Sequence, residues 1–156
     1  VDMEVLEYGT GSSTIWYAQR TKSVIAIEHD LEWVENVRSV IPTHLKSKAK
    51  VIHIANKEIG KFIGGDGKYY DEYVSYVKNT KSFFDFIAID GRSRSQCIIN
   101  SLSKIKKNGF LLIDNSERDG KDGQSDYQPS INIIPKKWEK HEFPTPLGTT
   151  SIYKNV

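Results

Sequence analysis

The chain has 156 residues, enough for one domain with a full hydrophobic core and no covalent staples. Its 22 basic and 20 acidic residues leave a net charge of +2, so composition calls for neither a nucleic acid nor an anionic membrane as partner. The single cysteine, Cys97, excludes an internal disulfide framework and a multi-cysteine zinc site, and fits a reducing, cytoplasmic setting.

Five short apolar runs follow one another along the chain: Val5-Leu6, Val24 to Ile27, Val51 to Ile54, Phe86 to Ile89 and Phe110 to Ile113. Runs of this length and composition read as strands buried on both faces, and none approaches a membrane span. Helical patterns fill the gaps. Asp30 is the predicted N-cap of a helix carrying Trp33, Val34, Val37 and Val40-Ile41, and Pro42 stops it. After a glycine-rich loop, Gly60 to Gly67, the set Tyr70, Tyr73, Val74 and Val77 marks one face of another helix. Ser93 and Gln96 form a predicted capping box for a helix with Ile98, Leu102 and Ile105, ended by Asn108-Gly109. Trp16 and Trp33 fall on helix faces and read as core.

The last third is different. Glu117 to Gln128 is polar and reads as a mobile loop. Trp138 to Phe143 and Thr150 to Tyr153 read as an antiparallel pair joined by Pro144 to Gly148. The expected architecture is α/β: a mostly parallel twisted sheet, helices on both faces, and an antiparallel strand near one edge, all in one domain over residues 1–156. The chain starts at Val1 without an initiator methionine and almost at once enters a strand, as a piece lacking upstream residues would.

The segment VLEYGTGSST, Val5 to Thr14, carries the first functional signal. A strand ends in Glu7, bends at Gly9 and Gly11, and gives way to Ser12, Ser13 and Thr14 at a helix start. Such a bend lets a ligand approach the backbone, and the helix start offers N–H groups and a positive dipole end. Acids follow three further strands at Glu28, Asp90 and Asp114. In a parallel sheet these four carboxylates share the carboxyl-end rim, where open α/β sheets bind ligands. Four crowded acids make sense only if donors or cations satisfy them. S-adenosylmethionine (SAM) offers a sulfonium, an ammonium and a ribose diol. Glu28 is placed to accept the diol, Glu7 to face the ammonium, Ser12 to Thr14 to meet the methionyl carboxylate, and Ala55 and Asn56 to border the adenine.

On these residues the chain resembles the class I SAM-dependent methyltransferases, a Rossmann-like fold. The matching segments are VLEYGTGSST, VIAIEHD (Val24 to Asp30), FDFIAIDG (Phe84 to Gly91) and NGFLLIDN (Asn108 to Asn115), in order and at the family's spacing. The resemblance implies SAM contacts at Glu7, Gly9, Gly11, Ser12, Ser13, Thr14, Glu28 and Asp90. IDGRSRSQC (Ile89 to Cys97) followed by DNSERD (Asp114 to Asp119) is similar to a less characterised branch of that family.

Asp90 with Asp114 and Asn115 is also similar to the cation site of catechol and caffeoyl-coenzyme A O-methyltransferases. There Mg²⁺ would orient a diol and lower the pKa of the attacking hydroxyl. Those enzymes carry a lysine base shortly after the first acid, whereas this chain has Arg92 and Ser93. Asp90 and Asp114 are therefore the catalytic candidates, ranked above His29, His53 and His141. Arg92, Arg94 and Arg118 flank the acceptor side, with Arg94 reading as a solvated helix charge. Cys97 reads as a buried thiol.

The expected function is methyl transfer from SAM to a small-molecule acceptor, a hydroxyl for preference. One rival is a nicotinamide dinucleotide oxidoreductase, against which stands Thr14 where that fingerprint carries Gly or Ala. Another is a SAM-binding module without catalysis. The sequence says nothing of oligomeric state.

Overall fold

A computed structural model describes residues 1–121 and 125–156. Its seven-stranded sheet contains β1 (Glu4–Tyr8), β2 (Ser23–Glu28), β3 (Ala49–His53), β4 (Phe84–Ile89), β5 (Ile105–Ile113), β6 (Glu139–Thr145) and β7 (Gly148–Lys154). The spatial order is β3-β2-β1-β4-β5-β7-β6. The β1 to β5 pairings are parallel, and β7 runs antiparallel to both β5 and β6. The predicted antiparallel pair is present, with β7 inserted inside the edge rather than forming it.

Alternation along the strands builds two cores. On one face Val5, Val24, Ala26 and Val51 pack against α1 (Ser12–Arg20) and α2 (Leu31–Val40) through Ala18, Val34 and Val37. On the other, Leu6, Tyr8, Ile27, Ile87, Ile89 and Leu111 pack against α3 (Asp71–Asn79) and α4 (Arg94–Ser101). The tyrosine stripe predicted for α3 is core at Tyr70 and Tyr73, both 0% exposed. Asp30 caps α2 as expected, accepting from Trp33 N at 3.0 Å. No helix among the described residues is long and apolar enough to cross a membrane.

Four expectations need correction. Asn108-Gly109 does not end a helix: α4 stops at Ser101, and both residues lie within β5 where its pairing with β4 shifts register. Ser93 sits at the α4 N-cap with φ 49° and makes no side-chain cap, so the capping box does not form. Trp16 and Trp33 are 52% and 45% exposed, because α1 and α2 turn Thr14, Ala18, Val34 and Val37 to the sheet instead. The polar stretch after Glu117 is partly packed: Tyr127 is buried, and a short helix, α5, spans Gln128–Ile131. Residues 122–124 of that stretch lie outside the described ones.

Candidate active site

The strand order reverses at β1, which lies between β2 and β4, and a crevice opens beyond the carboxyl ends of these three strands. Its walls are Glu7, Gly9, Thr10, Ser13, Glu28, His29, Asp90, Gly91, Arg92 and Arg94, around a volume of about 240 Å³. A neighbouring hollow of about 280 Å³ shares Gly91, Arg92 and Arg94 and continues toward Arg118 and Tyr127.

Two glycines make this opening. Gly9 has φ 98°, a region costly for any other residue, and its N–H donates to Ile27 O at 2.9 Å. A Cβ on Gly91 would run into the Tyr73 hydroxyl and lie 2.9 Å from Gly9 N. The β1 and β4 ends therefore touch backbone to backbone. Gly11 differs: its φ of 171° is ordinary extended backbone, and a Cβ there meets nothing within 4 Å. Trp33, not anticipated from sequence, holds the bend by donating Nε1–H to Thr10 O at 2.7 Å.

The four rim carboxylates have distinct settings. Glu7 is 3% exposed and accepts from the Ser13 and Thr14 hydroxyls, the latter at 2.6 Å. Burial outweighs these bonds, and with the negative charges of Asp90 and Glu28 raises its pKa to about 7. Thr14 thus lies behind the crevice, fully buried, with its hydroxyl turned to Glu7 and Gly11 N. Gly11 and Ser12 also do not line the opening. Glu28 is 6% exposed. Its burial is overcome by the His29 side chain and by the backbone N–H groups of His29 and Asp30, at 2.7 and 3.1 Å from Oε1, so its pKa is lowered. No donor among the described residues reaches Oε2.

Asp90 and Asp114 stand together, as the sequence predicts. Asp90 keeps much of its side chain open, but desolvation of the part packed beside Arg94 and Asp114 raises its pKa to about 6, opposed by the Arg94 charge and reinforced by Asp114. The pKa of Asp114 is lowered: burial is outweighed by its hydrogen bond to Asp90, by Arg94 and by Thr150 Oγ1, 3.1 Å from Oδ1. The residue between them corrects the sequence reading. The Arg94 side chain is only 11% exposed, not solvated, and bonds Asp90 Oδ1 at 2.8 Å, Asp114 Oδ2 at 3.2 Å and Asn115 Oδ1 at 3.2 Å. Arg118 donates to the same Asn115 oxygen at 3.0 Å. Among the described residues no group of three or more His, Cys, Asp or Glu converges on a metal position.

The other candidates lie apart. His53 Nε2 pairs with His29 O at 3.0 Å, and His141 is exposed on the edge strand β6. Cys97 is fully buried, and burial pushes its thiol up. Ala55 lines a separate hollow with Asp71 and Tyr76, and Asn56 lies beside Tyr70, so neither borders the crevice as expected for an adenine contact. A wider hollow of about 1080 Å³ opens beside α1, walled by Phe86, Phe110, Leu112 and Phe143. It lacks the converging polar groups that mark a reactive site.

No protein-family model matches the chain, and no curated protein matches it in sequence. Solved structures match it in fold. An O-methyltransferase from Bacillus cereus in complex with S-adenosylhomocysteine (SAH) superposes with a TM-score of 0.71 at 19% identity, over 98% of this chain and 74% of that one. An rRNA methylase from Streptococcus thermophilus gives 0.70 at 10% identity, over 99% and 88%. A methyltransferase-like protein from Silicibacter pomeroyi gives 0.67 at 19% identity, over 97% and 77%. With the reversal at β1, the inserted β7 and the glycine bend, these likenesses establish that the chain shares the Rossmann-like fold of these solved methyltransferase structures.

Proposed function

We propose that this protein transfers a methyl group from SAM to a hydroxyl of a small-molecule acceptor. The observation that carries the reading is the crevice itself: Glu28, held ionised, and Glu7, poised near neutrality, flank one glycine bend at the sheet's reversal point. SAH bound to the Bacillus cereus structure supports SAM as donor. The O-methyltransferase and rRNA methylase neighbours differ in acceptor, and the net charge of +2 favours a small molecule over RNA.

SAM supplies an activated methyl on its sulfonium, so the protein's task is alignment, worth several kcal/mol (on the order of 7–11 in ideal cases). Glu28 Oε2 accepts from the ribose diol. Glu7 faces the ammonium directly or through water, and Gly9 admits the ligand against the backbone. Asp90, with 59% of its side chain open, stands at the acceptor side and takes the hydroxyl proton as the new O–C bond forms and the S–C bond breaks.

Calorimetry with SAH and with NADH tests the donor, and a methyl-transfer assay over phenols, catechols, hydroxy acids and RNA tests the acceptor. SAH binding lost in Glu28→Ala, with turnover on a hydroxylated small molecule, supports the proposal. NADH binding without SAH binding overturns it in favour of the oxidoreductase. SAH binding with no turnover on any acceptor leaves the non-catalytic module.

A further inference from the structure

The resemblance to the catechol enzymes places a divalent cation among Asp90, Asp114 and Asn115, and the structure places something else there. We infer that Arg94 is the built-in cation of this rim, that it excludes Mg²⁺, and that methyl transfer here is metal-independent.

Three observations carry this. First, the side-chain oxygens a cation would need already bond one guanidinium, Nη2 to Asp90 Oδ1 and Nη1 to Asp114 Oδ2 and Asn115 Oδ1. Second, the guanidinium is fixed from behind. Nε donates to Gly91 O at 3.0 Å, Nη1 to Asp114 O at 2.7 Å and Nη2 to Asp90 O at 2.9 Å. Moving it aside to admit an ion would strip three backbone carbonyls of their donor. The Tyr127 ring, 5.9 Å from Arg94 Cζ, flanks it as well. Third, Asn115 Oδ1 also accepts from Arg118, so two positive groups meet at the oxygen that would be the neutral ligand.

The chemistry agrees. Mg²⁺ demands near-octahedral oxygen at about 2.0–2.1 Å and keeps several waters. A guanidinium instead offers five fixed donors in a plane and does not lose its proton in proteins. Its hydrogen bonds span three carbonyls, two carboxylates and an amide at once. Arg94 therefore supplies positive charge that depends on no metal supply. It acts as a positioning residue, aiming Asp90 and Asp114 at the acceptor side. The role in catalysis rests on the methyl-transfer proposal; the exclusion of metal does not.

The test is a Mn²⁺ titration followed by the EPR signal of the free ion, on wild-type protein and on Asp114→Asn, Arg94→Ala, Arg94→Lys and Arg94→Ala/Asp114→Asn. Wild type is expected to leave Mn²⁺ free up to roughly 1 mM, the weak end of protein sites for hard cations. Arg94→Ala should bind Mn²⁺ at least about tenfold more tightly, a gain of about 1.4 kcal/mol, and the added Asp114→Asn should abolish the gain. Arg94→Lys, which keeps the charge, should stay near wild type. Mn²⁺ binding by wild type below roughly 1 mM that Asp114→Asn removes would overturn the inference, and this arm needs no Arg94 variant to fold. A folded Arg94→Ala protein that gains nothing would overturn it too. With any active acceptor, turnover should be unchanged by EDTA. The titration reads the same whether or not an acceptor is ever found, so its failure is distinct from a failure of the methyl-transfer reading.

Discussion

Glu7→Gln separates the electrostatic reasoning from every assumption about ligand. Glu7 has a pKa of about 7 in the folded chain against an ordinary 4.5, chiefly through burial. At about 1.4 kcal/mol per pH unit, this displacement is worth roughly 3 kcal/mol. The sign follows from proton counting. Below pH 4.5 both states carry the proton and nothing is lost. Between 4.5 and 7 the unfolded chain ionises while the folded one holds its proton, so stability falls as pH rises, and above 7 the loss is complete. Gln does not titrate and keeps its place between the Ser13 and Thr14 hydroxyls, with one bond weakened at a cost of about 1 kcal/mol at every pH. The variant should be less stable than wild type by about 1 kcal/mol at pH 4.5 and more stable by roughly 2 kcal/mol at pH 8. Urea unfolding of ligand-free protein at several pH values, read by tryptophan fluorescence, measures that gap. A gap that stays flat across this range refutes the buried, proton-holding Glu7. If the methyl-donor proposal also holds, the same substitution weakens SAH binding by about 10- to 100-fold, because a charged hydrogen-bond partner is lost. Wild-type affinity for SAH should then rise with pH toward 7, since Glu7 must ionise to meet the ammonium.

Gly91→Ala should cost roughly 2–3 kcal/mol in thermal or urea unfolding, since its Cβ meets Tyr73 and the Gly9 backbone, while Gly11→Ala should stay within about 1 kcal/mol of wild type. Equal effects at the two positions would contradict the backbone contact between β1 and β4. Trp33→Phe removes the bond to Thr10 O, with an expected loss of about 1 kcal/mol and weaker SAH binding measured by calorimetry. With an active acceptor, kcat should rise with pH through about 6, because Asp90 accepts a proton only once ionised. A profile flat from pH 5 to 8 on a hydroxyl acceptor would remove Asp90 as the base.

Local pattern located most of the fold and the rim, and its failures share one cause. The five apolar runs became β1 to β5 because β-branched and aromatic residues between helical segments have few other uses. Asp30 caps α2 because a cap is decided within four residues. Asn108-Gly109 failed because distant residues decide there. Lys106 is drawn into the sheet by Asp85 and Glu4, at 2.9 and 3.0 Å, so β5 begins where helical spacing still continued. Trp33 failed likewise, its partner being Thr10 on another element.

The rim shows the same limit in its charges. Sequence placed Glu7, Glu28, Asp90 and Asp114 at four strand ends and gave each a ligand role but no protonation state, and the crowding argument required something to relieve their repulsion. The relief is unequal. Glu28 and Asp114 have hydrogen-bond donors enough to remain ionised, whereas Glu7 is pushed toward neutrality by burial and Asp90 by partial desolvation together with the adjoining Asp114 charge. Carboxylates with pKa values driven apart in one crevice can divide binding and proton transfer between them. What divides them is the identity of the donors: two backbone N–H groups for Glu28, two hydroxyls for Glu7, and Arg94 for the Asp90–Asp114 pair. Arg94 follows Asp90 by four residues, so its reach to that acid is written in the spacing. Its reach to Asp114 and Asn115 exists only because β4 and β5 pair in parallel, Ile89 beside Ile113. A residue that reads as solvent charge in one dimension becomes, once those strands are aligned, the cation that two acids and an amide were waiting for.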